Sequence, residues 1–246
     1  MMSAPFLVTL IFLVLPPLLT CVNVTPFPPD GKPTVALLLM VRDESHNLRT
    51  NLPLWNAPDS AAPFFDAFVI AVDDRTIDDT REAIGEITAG TPTHMFDYTF
   101  EGFGPARTLV FEETWKKFPH ITHLLVGDPD WKPNLSLINK SDLDEEHHTY
   151  QFKIWDRNGV TTRNCNWLMR NREGLHYDYY VHEFLRFPDG GPFVEDQKNL
   201  AWEVAEAESD SSWHQTVGHG DKKGASRTFK RFLFDISLLL QEQEDP

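Results

Sequence analysis

Cysteine is scarce, with two residues in a chain of 246, which excludes a scaffold built on disulfides. Glycine, at 13 residues, is far too rare for a collagen-like or low-complexity chain. Positive charge is the minority: 22 Lys and Arg stand against 37 Asp and Glu, a net charge of −15. Phosphate backbones are held by Lys and Arg, and counterion release needs a basic face. Nucleic acid is therefore excluded as a main partner, although one local pocket can still hold a nucleotide. What the chain does carry is apolar and aromatic: 41% hydrophobic residues, among them 18 Phe and 7 Trp. A disordered chain is poorer in these. The length suits one α/β domain, or two small ones, with a sizeable core.

No charged side chain precedes Asp30, and Phe6 to Leu15 is almost wholly apolar. Ten helical residues reach about 15 Å, about half of a hydrocarbon core, and Pro16 and Pro17 interrupt any helix. Residues 1–22 read as a signal peptide cleaved around Thr20 to Val24, or as a signal anchor if the prolines are tolerated. Asn23-Val-Thr, Asn134-Leu-Ser and Asn139-Lys-Ser are glycosylation sequons that fit a secretory route. The expected localisation is the ER or Golgi lumen, or secretion. Cys165 is left alone if Cys21 is removed, and burial in a strand is its expected fate. Residues 23–33 form a Pro/Gly linker, and 34–246 a single domain.

Thr34 to Val41, Ala67 to Val72 and Ile121 to Val126 are continuous apolar runs, which suit strands buried on both faces of a parallel sheet. Helices are expected from Arg42-Asp43-Glu44-Ser45 through Leu54, from Asp78 and Asp79 to about Ala89, and over Ala106 to Lys117. This order implies an open α/β sheet with its ligands at the carboxyl ends of the strands. Acidic and basic residues gather there: Arg42, Asp43 and Glu44 after the first strand, Asp73 and Asp74 after the second, Asp128 and Asp130 after the third. In the second half, Tyr150 to Trp155 and Thr161 to Met169 predict a hairpin across Asn158-Gly159. Tyr177 to Leu185 reads as one aromatic strand, Asn199 to Ala207 as a helix, and Arg227 to Glu242 as an amphipathic helix that packs on the core.

Asp128-Pro129-Asp130 places two carboxylates at i and i+2 directly after a buried strand. On an extended segment they project to one side and can hold a hard divalent cation against phosphate oxygens. Glu145, Glu146, His147 and His148 look like a metal tract in isolation but fall in an expected loop. Lys222, Lys223, Arg227, Lys230 and Arg231 form a basic cluster, either a solvated face or a cover for a diphosphate.

The chain resembles glycosyltransferase family 2, and most of all its small subgroup often attached to tetratricopeptide repeats. Val41-Arg42-Asp43-Glu44-Ser45-His46-Asn47-Leu48 is similar to that subgroup's V-K-N-E-x-x-N-L. Val72-Asp73-Asp74-Arg75-Thr76-Ile77-Asp78-Asp79-Thr80 matches V-D-D-G-S-x-D-x-T without a gap. Phe103 to Thr108 resembles F-x-x-A-R-N, and Leu124 to Asp130 occupies the place of the metal-binding D-x-D. Leu168 to Asn171 and Tyr177 to Leu185 resemble L-F-R-N and Y-x-x-x-V-H-E-x-L. Four departures stand out: Asp43 for Asn, Arg75 for Gly, Thr108 for Asn, and Pro129 inside the D-x-D.

The resemblance implies a GT-A fold, a Rossmann-like mixed sheet with helices on both faces. It implies inverting transfer of a sugar from a nucleotide-diphosphate donor to a glycan, protein or small-molecule hydroxyl, aided by Mn²⁺ or Mg²⁺. Glu44, Asp73 and Asp74 would contact the nucleotide sugar, although Glu44 and Asp74 also suit helix N-termini. Arg107 would fork onto the diphosphate. Asp128 and Asp130 would hold the metal, with His182 or His219 as a further ligand, and Glu183 would be the base. Alternation along a strand sends His182 and Glu183 to opposite faces. Two other readings stay open: a secreted, non-catalytic glycosyltransferase-like binding protein, and a metal-dependent hydrolase. A membrane enters only through the N-terminal segment, if it is uncleaved.

Overall fold

The computed structural model describes residues 23–56, 63–155, 162–180, 184–188 and 197–206, with 162–166 described by backbone alone. The expected signal segment, the Asn158-Gly159 turn, His182, Glu183, His219, the basic cluster and the last amphipathic helix lie outside the described residues.

The apolar runs become strands β1 (Val35–Val41), β2 (Ala67–Asp73) and β4 (His123–Val126), all parallel with β1 in the middle. Alternate residues of β1 face opposite cores, so neither face can be polar. Val35, Leu37, Leu39 and Val41 pack with Leu48, Leu52, Ala83 and Ile84. These come from α1 (Ser45–Asn51), the 3-10 turn after it, and α2 (Thr80–Ile87). Ala36 and Leu38 pack with Ala106, Val110 and Phe111 of α3 (Phe103–Lys117). Helices therefore cover both faces.

The remaining strands are β3 (Thr93–Tyr98), β5 (Trp131–Pro133), β6 (Thr149–Trp155), β7 (Thr162–Arg170), β8 (His176–Asp178), β9 (Phe184–Arg186) and β10 (Gln197–Glu206). The main sheet runs β3-β2-β1-β4-β7-β6-β10-β5, and β8-β9 form a separate ribbon. β7 is antiparallel to β4 and to β6, β10 is parallel to β6, and β5 is antiparallel to β10. This is the Rossmann-like mixed sheet with helices on both faces that the resemblance implies.

One strand, β3, is not foreseen in the sequence, and two expectations need correction. β3 carries no apolar run because it is a sheet edge, half-exposed along most of its length, so the pattern for a doubly buried strand does not apply. Residues 199–206 form a strand, not a helix. Ala and Glu favour a helix there, but Trp202 and Val204, both 1% exposed, alternate into the core against β6. Tyr177 to Leu185 is not one strand. The chain reverses after β8, where Tyr179 takes a left-handed φ of 71°, and β9 pairs back with Tyr177 opposite Leu185.

The segment read as a linker begins inside the packed domain. Val24 bridges Arg172, and Thr25, 1% exposed, donates its N–H to the Asn171 carbonyl at 3.1 Å.

Candidate functional site

Strand order reverses between β2-β1 and β4, and ligands of open α/β sheets bind at the carboxyl ends beside such a reversal. Arg107 and Asp128 are both found there. Both line a small cavity whose floor is Leu38 and Met40 of β1 and Val126 of β4. Its volume is ≈ 10 Å³, room for about one water, so a larger ligand needs the walls to part.

Arg107 is 8% exposed and lies among aromatic rings. Its guanidinium carbon is 4.8 Å from the Trp167 ring centroid, 5.5 Å from Tyr177 and 5.9 Å from Phe103. Ring faces attract a cation and hold its plane. Trp167 in turn stacks on Trp131, with centroids 5.6 Å apart. Arg107 is legible in the sequence but this aromatic seat is not, because its parts are spread over α3, β5, β7 and β8. A side chain this buried is not part of a surface ion pair.

Helix α3 is fixed by a close approach. A Cβ on Gly104 would collide with the Tyr179 carbonyl oxygen, so only glycine fits. The Phe103 N–H donates to the Tyr180 carbonyl at 2.8 Å. Thr108, where the family has Asn, accepts the Tyr177 N–H through Oγ1 at 2.9 Å. That departure still ties α3 to β8.

The turn after β4 holds Asp128 and Asp130. The Trp131 N–H donates to the Asp128 carbonyl at 3.2 Å, and Asn51 of α1 donates to the Pro129 carbonyl at 3.1 Å. Asp128 reaches the cavity; Asp130, 3% exposed, is not among its walls. Among the described residues no three Asp, Glu, His or Cys side chains converge as a metal site. One or two carboxylates that share a cation with substrate phosphates and waters are nonetheless a usual arrangement for Mg²⁺. Asp128 fits that role.

The β2 end differs. Asp73 is closed off by Arg75, the residue standing where the family has Gly. Arg75 Nε donates to Oδ1 at 2.8 Å, NH2 to Oδ2 at 2.6 Å, and the Arg75 backbone N–H to Oδ1 at 2.9 Å. Burial pushes the Asp73 carboxyl up, but the Arg75 hydrogen bonds and charge outweigh it and hold it below the usual value. Asp74 caps no helix: it accepts the Thr99 hydroxyl at 2.7 Å. An Arg two residues beyond a strand-end Asp can fork back onto it across a turn, and that spacing is visible in the sequence.

Asp43 and Glu44 turn inward. Asp43 has a left-handed φ of 52°, which Asn and Asp tolerate best among non-glycine residues. Its Oδ1 accepts the Ile77 N–H at 2.8 Å and holds the β2–α2 loop. Replacing Asn by Asp keeps both properties. Glu44, 2% exposed, accepts from Asn47 Nδ2 at 2.6 Å within α1, while its own N–H donates to Thr80 Oγ1 at 2.8 Å. The Glu145 to His148 stretch is a loop before β6, as expected, where His147 pairs with Asp144 at 2.9 Å.

No protein-family model matches the chain, and no curated protein matches it. Among solved structures, it is similar to TarS 1-349 of S. aureus in complex with UDP-GlcNAc, at 16% identity and a TM-score of 0.38. That match covers 52% of this chain and 36% of the other, so the chain spans just over a third of that TarS structure. It is also similar to the inositol-1-phosphate CTP transferase of T. maritima, at 11% identity and a TM-score of 0.38, over 73% of this chain and 91% of the other. Neither likeness assigns a ligand or a reaction to this chain.

Proposed function

We propose that the carboxyl edge at β1, β2 and β4 binds a nucleotide-diphosphate sugar, and that the chain transfers the sugar to an acceptor hydroxyl with inversion. The observation that carries this reading is one cavity lined by both a ring-held guanidinium, Arg107, and a carboxylate, Asp128, at the strand reversal. Planar Arg forks onto phosphate oxygens. The aromatic seat holds that fork in place before the ligand arrives, which is where electrostatic stabilisation of a departing diphosphate gains most.

Glu44, Asp73 and Asp74 stand on the nucleoside side of the same edge. Mn²⁺ or Mg²⁺, held by Asp128 with Asp130, His182 or His219 beside it, would supply further positive charge against the diphosphate. Glu183 takes the acceptor proton as that oxygen bonds to the anomeric carbon and the bond to the leaving phosphate breaks. The acceptor is a glycan, protein or small molecule. The N-terminal segment fits a lumenal or secreted protein, and Asn23, Asn134 and Asn139 are all exposed, as glycan acceptors must be.

The test is release of free nucleotide diphosphate by the purified protein with manganese over a panel of donors. Release that falls with chelator and with Asp128→Ala supports the reading. No release from any donor, unaltered by either, overturns it. The second reading, a non-catalytic binder, is favoured by the closure of Asp73 by Arg75. Calorimetric binding without turnover selects it.

A further inference from the structure

We infer that Arg75 is a built-in occupant of the donor site, its guanidinium holding the Asp73 carboxylate in the place of nucleoside hydroxyl or N–H groups, so that a donor must displace it. This rests on the proposed function and concerns how that same site is controlled.

The geometry is that of a cover. Both Asp73 oxygens are engaged by the Arg75 side chain, and a backbone N–H takes a further position on Oδ1. The Asp73 side chain is 2% exposed while that of Arg75 is 47% exposed. The carboxylate thus meets solvent through the guanidinium rather than directly. An ionised carboxylate accepts hydrogen bonds only, so a nucleoside that needs Asp73 competes with Arg75 for the same oxygens.

The backbone does not require this residue. The Thr76 N–H donates to the Asp73 carbonyl at 3.0 Å and closes the turn, and Arg75 is not among the residues with positive φ. Neither glycine nor arginine is demanded by the turn, so the side chain can move while the loop stays. A resting place for it is at hand. Arg75 Nε is 3.8 Å from Asp74 Oδ1, and Asp74 is 45% exposed. A small swing carries the guanidinium from Asp73 to Asp74 without losing a carboxylate partner. Arg42 also acts on Asp73 electrostatically, so the carboxylate keeps a cation near it after the swing.

The alternative is that the exposed side of Arg75 itself meets a donor phosphate. The two differ in sign. Calorimetric titration of the full chain with UDP, GDP, CDP and ADP, each with and without manganese, compares wild type with Arg75→Gly and Arg75→Lys. Near-ultraviolet dichroism checks that each variant is folded. Displacement predicts at least tenfold tighter binding of the preferred nucleotide by Arg75→Gly. Arg75→Lys, which lacks the fork, falls between the two, and serves alone if the glycine variant does not fold. Adding Asp73→Asn to Arg75→Gly removes the gain. Equal or weaker binding by both variants, with wild type binding, overturns the inference and leaves the proposed function standing. Absence of binding by wild type and both variants overturns both.

Discussion

The two ends of the same sheet are both rich in buried polar groups, yet they do different things with them. At the amino end, Thr34 and Thr122 exchange reciprocal backbone-to-hydroxyl hydrogen bonds at 2.8 and 3.0 Å. His123, fully buried, lies 2.9 Å from the Thr122 hydroxyl and 3.2 Å from Tyr150 OH, which donates to the Asp144 carbonyl at 2.7 Å. Asn171 closes the set on the Ile121 carbonyl at 2.9 Å. Each of these residues has a partner within the fold, although Asn171 Oδ1 is left without one. At the carboxyl end, Arg107 and Asp128 face a cavity, and the Asp73 side chain takes its hydrogen bonds from a half-exposed arginine of its own loop. Among the described residues, the strongly displaced histidine belongs to the amino end: burial, with Arg170 nearby, pulls His123 down to about 3. A perturbed titratable group is therefore a poor guide to the site here. Access to a cavity separates the two ends.

The contrast can be broken by substitution. The largest effect is expected for Trp131→Ala, which removes a ring that is 1% exposed beneath Trp167; denaturant unfolding should show a loss of about 3–5 kcal/mol. Arg107→Ala should lower kcat/KM for nucleotide-diphosphate release about 100-fold, or about 2.7 kcal/mol at 1.36 kcal/mol per tenfold. Arg107→Lys should recover little of it, because the planar fork is lost. Full recovery by Lys would reduce the aromatic seat to a structural feature.

The amino end should respond to pH instead. His123 binds its proton less readily folded than unfolded. Below the unfolded value of about 6.5 the unfolded chain takes up a proton that the folded chain refuses until about pH 3. Stability should fall with acidification through that window, by up to about 1.4 kcal/mol per pH unit from this group. His123→Phe should flatten the slope between pH 6.5 and 5, measured by urea unfolding. An unchanged slope would assign it elsewhere. The smallest effect on nucleotide release, none, is expected for Thr122→Val, although stability should fall by about 1–3 kcal/mol from the backbone and side-chain partners left unmatched. A change in release would show that the two ends are coupled.

Much of the carboxyl edge is legible in the sequence. The runs at 34–41, 67–72 and 121–126 announce strands buried on both faces, and the charged residues that follow them do share one sheet edge. The second half is less legible, because its strands alternate and depend on pairing. Residues 199–206 read as a helix from Ala and Glu, and only the partnership of Trp202 and Val204 with β6 makes them a strand. The seat of Arg107 combines Phe103, Trp167 and Tyr177 from three elements, and no local pattern joins them. Arg75 shows in the sequence as a departure from the pattern that the chain resembles. That it closes over Asp73 follows from a side-chain rotamer, which spacing permits but does not dictate.

The packing of Val24 to Phe27 fixes a polarity for the whole molecule. The Thr25 hydroxyl donates to the Pro119 carbonyl at 2.7 Å, Arg170 reaches the Thr25 carbonyl at 2.7 Å, and Phe27 lies edge-on to His123. The described chain thus enters the fold at this pole, at Asn23. A bulky group attached at Asn23 would therefore stand at the far end of the sheet from the cavity of Arg107 and Asp128.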